Sequence, residues 1–410
     1  MKRYVIIGNG VAAVGCIEGI RSIDPMGEIA VISKEAHKVY GRPLISYYLE
    51  GKTDLTRMNY RAEDFYKTNE AKLYLGKTAE SIDPDKKTVA LDDGTILPYD
   101  ALCVATGSRP FVPPMEGLDT VEKQFSFMTL DDALALEKVL TKDARVLIVG
   151  AGLIGLKCAE GIAERVAKIT VCDLADHILS SILDTSCAAL VQKELEKHNV
   201  DFLLGDSVAK FEGNKATFKS GKMVEFDILV LAVGVRANTE LLKAAGGETN
   251  RGILIDDAMQ TSLSDIYAAG DCAEGYDASI GARRVLAILP NAYLQGHTAG
   301  VNMAGGKVAF DSAIPMNSIG FFGLHVMTAG AYEGEMIEET IAGGIKRLFV
   351  KDNLLRGFIL IGANERAGIY TSLIREKTPL DSIDFAFAQK RATNLIFPKE
   401  VRKEKFGGAT

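Results

Sequence analysis

One pattern, which occurs twice, constrains this chain most. Tyr4-Val5-Ile6-Ile7 runs into Gly8-Asn9-Gly10-Val11-Ala12-Ala13, and Arg145-Val146-Leu147-Ile148-Val149 runs into Gly150-Ala151-Gly152-Leu153-Ile154-Gly155. Each reads as a strand feeding a glycine turn that opens a helix. Such a turn aims backbone N–H groups at one point, with the positive end of the helix dipole behind them, and so makes a seat for a diphosphate. In the first copy Gly8 permits the tight turn, Gly10 lets backbone approach phosphate, and Ala13 is small enough for helix and strand to pack closely. Each copy continues to a second strand that leads to an acid: Ile29 to Ile32 reaches Glu35, and Ile169 to Cys172 reaches Asp173. An acid at this spacing accepts hydrogen bonds from an adenosine ribose. In a chain with 40 glycines, one Gly-x-Gly-x-x-Ala match is a weak signal. Two complete strand-turn-helix-strand-acid units make dinucleotide binding the reading at both places.

The two halves stay parallel further on. Lys86 to Gly94 reads as a strand entering an Asp-Asp-Gly hairpin turn, followed by Pro98 to Gly107; Lys215 to Lys222 enters a Ser-Gly-Lys turn, followed by Val224 to Gly234. Each half thus inserts a small antiparallel layer and returns to a parallel sheet on a buried strand that ends in glycine. Beyond the second half, Ile266-Tyr267-Ala268-Ala269 brings Gly270-Asp271 to a sheet edge, where an acid can accept from a polyol. A helix from Pro290-Asn291 through His297 points its N-terminus to the same place and would favour an anionic, reduced ring system. From about Pro315 short strands and Gly-rich turns, a hairpin turning at Asp352-Asn353 and a helix over Ala367 to Arg375 mark a separate α+β domain, whose expected role is packing or dimerisation.

The fold class expected is therefore α/β: two Rossmann-like dinucleotide-binding domains plus a C-terminal α+β domain. The expected boundaries are 1–114 with 240–314 for the first dinucleotide-binding domain, 115–239 for the second, and 315–410 for the last domain. A net charge of −7 argues against nucleic acid or an anionic membrane as partner. The apolar run behind Lys2 and Arg3 is too short for a signal-peptide core, and no apolar stretch of about 18 residues suggests a membrane span. The basic stretch Lys399 to Lys405 reads as a solvated tail. Six cysteines without a C-x-x-C, together with five scattered histidines without metal-ligand spacing, suggest a reducing, cytoplasmic setting and no metal site.

In this order, the Gly8-Asn9-Gly10 turn, Ala105-Thr106-Gly107, the Gly150 motif and Tyr267-Ala268-Ala269-Gly270-Asp271 resemble the FAD- and NAD-dependent pyridine-nucleotide oxidoreductases. Tyr40-Gly41-Arg42-Pro43-Leu44-Ile45-Ser46 and Ala367 to Arg375 are similar to NADH:rubredoxin oxidoreductases, to the flavin portion of assimilatory nitrite reductases, and to flavin subunits of ferredoxin-linked 2-oxoacid dehydrogenases such as phenylglyoxylate dehydrogenase. The resemblance implies that Gly8, Gly10, Ala13, Ala79, Thr106 and Gly107 line the FAD, with Glu35 on the adenosine ribose and Arg42-Pro43 beside the flavin. It also implies Gly270-Asp271 on the ribityl chain and Asn291 at the same site. Gly150, Gly152, Ile154, Gly155 and Asp173 would bind NADH, with Gly234 on the nicotinamide side. Asp173 should repel a 2′-phosphate and so favour NADH over NADPH, with Arg165 and Lys168 near enough in sequence to oppose it.

Two departures from the family pattern stand out. Disulfide reductases of this type need a thiolate beside the flavin, whereas here Leu44, Ile45 and Ser46 follow Arg42-Pro43; Cys103, Cys158 and Cys172 read as core residues. Relatives also carry a glutamate two residues after the last motif glycine, where this chain has Lys157. Glu160, one turn on, either substitutes for it or is an exposed helix acid. No general base is assigned, because hydride transfer from a nicotinamide to a flavin requires stacking and orientation. The function expected is an NADH-dependent flavoprotein that exchanges electrons, in either direction, with an iron–sulfur carrier such as a rubredoxin, a ferredoxin or the clusters of a larger complex. The alternatives are an NADH oxidase or small-molecule or disulfide reductase, and a flavin-binding regulatory protein; a homodimer through the last domain is also expected.

Overall fold

The computed structural model describes residues 1–341, 343–362 and 366–406. Its first sheet is five-stranded and parallel, in the order Ile266–Ala268, Ala101–Val104, Arg3–Ile7, Glu28–Ser33, Ala71–Leu75. The central strands are short apolar runs buried on both faces, as parallel strands covered by helices must be. The register places Ile7 beside both Ile32 and Val104, so Gly8, the Ser33-to-Glu35 turn and Ala105 all emerge at one edge.

The second sheet repeats this order with Val200–Leu204, Lys168–Asp173, Arg145–Val149, Ile228–Leu231 and Gln124–Ser126, again all parallel. Here Val149 lies beside Cys172 and Leu231, which delivers Gly150, Asp173 and Ala232 to the equivalent edge. The antiparallel layers expected in each half are three-stranded, over Ala79–Asp83, Thr88–Leu91 and Ile96–Pro98, and over Val208–Glu212, Lys215–Phe218 and Met223–Glu225. A two-stranded antiparallel crossing of Ser108–Pro110 with Val235–Ala237 joins the two units.

Two helices, Val11–Ile23 and Leu289–Met303, lie against each other so closely that a Cβ on Gly296 would stand 2.0 Å from the Ala12 carbonyl oxygen. That contact sets the first turn of the Val11–Ile23 helix against the second turn of the Leu289–Met303 helix.

The last unit is an antiparallel sheet ordered Met316–Phe321, Leu324–Gly330, Leu354–Ile361, Gly344–Lys351, Glu335–Ile341. Its strands alternate. Phe349, Ile359 and Ile361 face the second unit and share its core with Leu156, Ala159 and Ile162, whereas Leu348, Phe358 and Leu360 bury the Ala367–Arg375 helix. Asp352 and Asn353 both adopt positive φ in the predicted hairpin turn. The run expected as a solvated tail is instead a helix, Lys399–Phe406, because Val401 finds the core of this unit to pack on. Among the described residues no helix is long and apolar enough to cross a membrane.

Candidate dinucleotide sites

The two glycine turns have the same geometry. Gly8 and Gly150 take φ of +116° and +117°, and a Cβ on either would collide with backbone, at 2.0 Å from Ala105 O and 2.2 Å from Ala232 O. Gly10 and Gly152 then cap their helices in extended conformations with no side-chain capping bond. This leaves the first-turn N–H groups available to an outside acceptor. A Cβ at Gly10 or Gly152 meets no atom within 4 Å, so the chain's own packing does not demand glycine at either position. Ala13 is fully buried, and a Cβ on Gly155 would lie 2.0 Å from Gly150 O, so both need to be small.

Around the first turn the structure collects most of the residues expected there. A Cβ on Gly270 would lie 3.1 Å from the Ala12 Cβ and 3.6 Å from that of Ala292, so the turn, Gly270 and the start of the late helix converge. Burial pushes the Asp271 carboxyl above its usual range, against the Ser108 hydroxyl, which donates to it at 3.1 Å, and the attraction of Arg42. Asn291 is fully buried; its side-chain amide donates to Ile314 O at 3.3 Å, while its Oδ1 has no partner among the described residues. A buried orphan acceptor at the head of a helix, beside a desolvated carboxylate and free first-turn N–H groups, suits a ligand that carries donors together with a diphosphate, as FAD does. Thr106 lies against Gly8, yet its hydroxyl is spent on Asn238 O at 2.9 Å. Ala79 opens the antiparallel layer.

Glu35 and Arg42, expected near different parts of the cofactor, are in contact. Arg42 Nη2 donates to Glu35 Oε1 at 2.6 Å and the Tyr40 hydroxyl donates to Oε2 at 2.6 Å. The Arg42 guanidinium is therefore engaged by Glu35 and by Met128 O, which leaves Pro43 as the residue of that pair without a side-chain hydrogen bond to make.

At the second turn Asp173 folds back onto its own loop: Oδ2 accepts from Ala151 N at 2.7 Å and Oδ1 from Ala175 N at 2.9 Å. Ile154 sits in the first helical turn, and Gly234, at φ +116°, follows the Ala232-Val233 backbone that Gly150 abuts. Arg165 donates to Leu49 O and pairs with Glu137, while Lys168 pairs with Asp201 at the far end of the strand from Asp173. Neither basic residue approaches Asp173.

Glu160 is not an exposed helix acid. Its side chain is 4% exposed and pairs with Lys157, and its Oε1 accepts from Phe322 N at 2.7 Å. Lys157 also donates to Gly320 O at 3.2 Å and lies 4.4 Å from the centre of the Tyr47 ring. The pair therefore joins the second-unit helix, the segment after Arg42-Pro43 and the first hairpin of the last unit, where Phe322 stacks on His198 at 3.7 Å.

Three contributors escape sequence reasoning. Gln295 accepts from Gly270 N at 2.9 Å, Asn238 donates to Thr106 O at 2.8 Å, and Ser108 holds Asp271. Each acts over a long sequence separation, and an isolated Gln, Asn or Ser carries no local signal. All six cysteines are buried and unpaired. Burial pushes the Cys272 thiol up to about 11 and that of Cys172 up to about 12, so neither supplies a thiolate near neutral pH. Among the described residues no group of three or more His, Cys, Asp or Glu could hold a metal ion.

Residues 2–296 match the family model described as Pyridine nucleotide-disulphide oxidoreductase. Over 418 residues the chain is 31% identical to the NADH-dependent phenylglyoxylate dehydrogenase subunit epsilon of Aromatoleum evansii, covering 98% of this chain and 97% of that protein. It is also 31% identical over 403 residues to the assimilatory nitrate reductase electron transfer subunit of Bacillus subtilis (strain 168), spanning 95% of this chain but 51% of that relative's length. In fold it resembles the crystal structure of a covalent putidaredoxin reductase–putidaredoxin complex, with a TM-score of 0.88 and 24% identity, covering 96% of this chain and 97% of that one.

Proposed function

The chain belongs to the pyridine nucleotide-disulphide oxidoreductase family, and on that footing we propose that it moves electrons between NADH and a one-electron iron–sulfur carrier protein, with FAD as the bound cofactor. It is an NADH-dependent flavoprotein oxidoreductase. The observation that carries it is a pair of dinucleotide seats in a chain whose six cysteines are all buried. Bound FAD supplies a centre that accepts a hydride and releases electrons singly, so a chain without an exposed thiol relay can hand them to an external cluster.

The residues divide the work by charge and shape. The turn at Gly8 and Gly10 with the N–H groups behind it holds the FAD diphosphate, Glu35 accepts from the adenosine ribose, and Asp271 accepts from the ribityl hydroxyls. Asn291 Oδ1 takes a donor from the same ligand, which satisfies an acceptor that would otherwise cost about 1–3 kcal/mol to bury. The turn at Gly150 and Gly152 seats the NADH diphosphate. Asp173, whose side chain is held in place by two backbone N–H groups, discriminates against a 2′-phosphate. The name of the Aromatoleum relative, an NADH-dependent dehydrogenase subunit, and the carrier bound in the putidaredoxin reductase complex support a macromolecular electron partner.

The test is steady-state NADH oxidation by the purified holoprotein with oxidised rubredoxin or ferredoxin, against dioxygen or a small disulfide alone. Turnover at least tenfold faster with an iron–sulfur protein supports the reading. Equal turnover with dioxygen alone contradicts it and favours an oxidase; no flavin reduction by NADH would favour a regulatory protein.

A further inference from the structure

Glu35 makes contacts that ribose binding does not require, and those contacts lead out of the FAD unit. Leu130 N donates to the Tyr40 hydroxyl oxygen at 2.9 Å, and that hydroxyl in turn donates to Glu35. Arg42, beyond its bond to Glu35, donates through Nη1 to Met128 O at 2.9 Å. A ring nitrogen of His37 lies 2.8 Å from Asp131 Oδ1. Leu130 and Asp131 open the Leu130–Glu137 helix of the second unit, and Met128 immediately precedes its Thr129 cap. That start is itself a closed hydrogen-bonded box: Thr129 Oγ1 accepts from Asp132 N, and Asp132 Oδ2 accepts from Met128 N and Thr129 N. The one side chain expected on the adenosine ribose is thus wired, through two residues, to the first turn of a helix in the nicotinamide-nucleotide unit.

We propose that FAD occupancy and the docking of the Leu130–Glu137 helix are coupled through Glu35, with Tyr40 and Arg42 as positioning residues. This rests on the reading that Glu35 accepts the ribose hydroxyls. The side chains of Glu35 and Arg42 are 25% and 37% exposed. A nucleotide laid over them removes that water, which strengthens each hydrogen bond that remains in the cluster. The loaded site therefore favours the intact Glu35–Tyr40–Leu130 and Glu35–Arg42–Met128 chains. By reciprocity, a helix start held in register retains the cofactor more tightly. Tyr40 and Arg42 also reinforce each other, since the guanidinium lies 5.5 Å from the centre of the Tyr40 ring.

The experiment is the rate of FAD release from the holoprotein, followed by the rise in flavin fluorescence on dilution, for Tyr40→Phe, Thr129→Ala and the double variant. Thr129 bonds within the helix cap, so an effect of its truncation on FAD must travel through the network. Each single variant should release FAD about three- to tenfold faster, and the double variant no faster than about twice the faster single one. Amide exchange across residues 128–132 should be slower in the FAD-loaded protein than in protein stripped of FAD, and Tyr40→Phe, which breaks one of the two chains, should reduce that difference. Unchanged release from Thr129→Ala, or a double variant whose effect is the product of the two, overturns the coupling. Glu35→Gln separates the two readings. If its FAD release is unchanged, the ribose assignment fails. If it releases FAD faster while Thr129→Ala does not, only the coupling fails.

Discussion

Gly8 and Gly150 occupy the same place in two successive folding units, each at a left-handed φ and each pressed against a carbonyl oxygen, of Ala105 and of Ala232, that leads into the next glycine-ended loop. Each turn closes on its own sheet before any ligand is involved. The glycines that follow them, Gly10 and Gly152, have open space where a side chain would be.

That difference separates folding from binding. Gly8→Ala forces a side chain into backbone at a strained φ and should lower stability by about 2 kcal/mol or more in denaturant unfolding. Gly10→Val should fold with near-normal stability and purify colourless. Gly152→Val should purify yellow yet respond poorly to NADH, with at least a tenfold higher KM. A yellow Gly10→Val protein with full flavin occupancy contradicts the assignment of FAD to the first turn.

Asp173→Asn removes the charge but keeps an acceptor for the loop. The ratio of kcat/KM for NADH over NADPH should fall by about tenfold or more, because a like charge facing a 2′-phosphate is lost. An unchanged ratio places the discrimination elsewhere.

Lys157 and Glu160 form a pair that is 13% and 4% exposed. Lys157→Met strands a buried carboxylate and should destabilise the protein by about 3 kcal/mol in chemical denaturation, whereas the double variant Lys157→Met/Glu160→Gln should recover much of the loss. Equal destabilisation by the single and double variants argues that lost packing, and not the stranded charge, is the cause.

Arg347, nearly buried, ties the last unit to the second by pairing with Asp184 and donating to Ser186 at 2.8 Å, while Glu338 of its own sheet pairs with it from the neighbouring strand. Burial opposes the Asp184 charge, but the Cys187 N–H, the Ser186 hydroxyl and Arg347 outweigh it and hold the carboxyl at about 2. A carboxyl depressed in the folded state stabilises fully above its unfolded value of about 4, and that contribution is lost as pH falls toward 2. Thermal melting of the wild type should therefore exceed that of Asp184→Asn at pH 6, and the gap should close between about pH 4 and pH 2. A gap that persists at pH 2 contradicts this origin.

The six buried cysteines make a further expectation simple. A thiol reagent should label none of them in the native protein and all six in denaturant, with no loss of flavin reduction in the native sample. One fast-reacting thiol whose modification blocks turnover would revive a disulfide mechanism.

Much of this was legible in the chain, because glycine turns, apolar strands and terminal acids are short-range patterns whose chemistry is local. Gly8 to Ala13 and Gly150 to Gly155 needed only their own neighbours to be read, as did the Asp352-Asn353 turn. The edge strand Gln124–Ser126 was not legible: three residues containing Gln and Ser carry no strand signal until Leu229 to Leu231 offer a ladder. Glu160 could not be placed either, because its burial depends on a hairpin more than 150 residues later. The contact between Glu35 and Arg42 escaped for a similar reason, since a motif names residues without saying which way a long side chain turns. The helix at Lys399–Phe406 was hidden because its charged residues outnumber the one valine that anchors it.

FAD held at the first turn should be reduced by NADH seated at the second, which anaerobic titration of the purified holoprotein follows through flavin absorbance. Bleaching should be complete at about one NADH per flavin, with NADPH at least tenfold slower, and oxidised iron–sulfur protein added afterwards should restore the yellow colour. Bleaching by NADPH but not by NADH would contradict it.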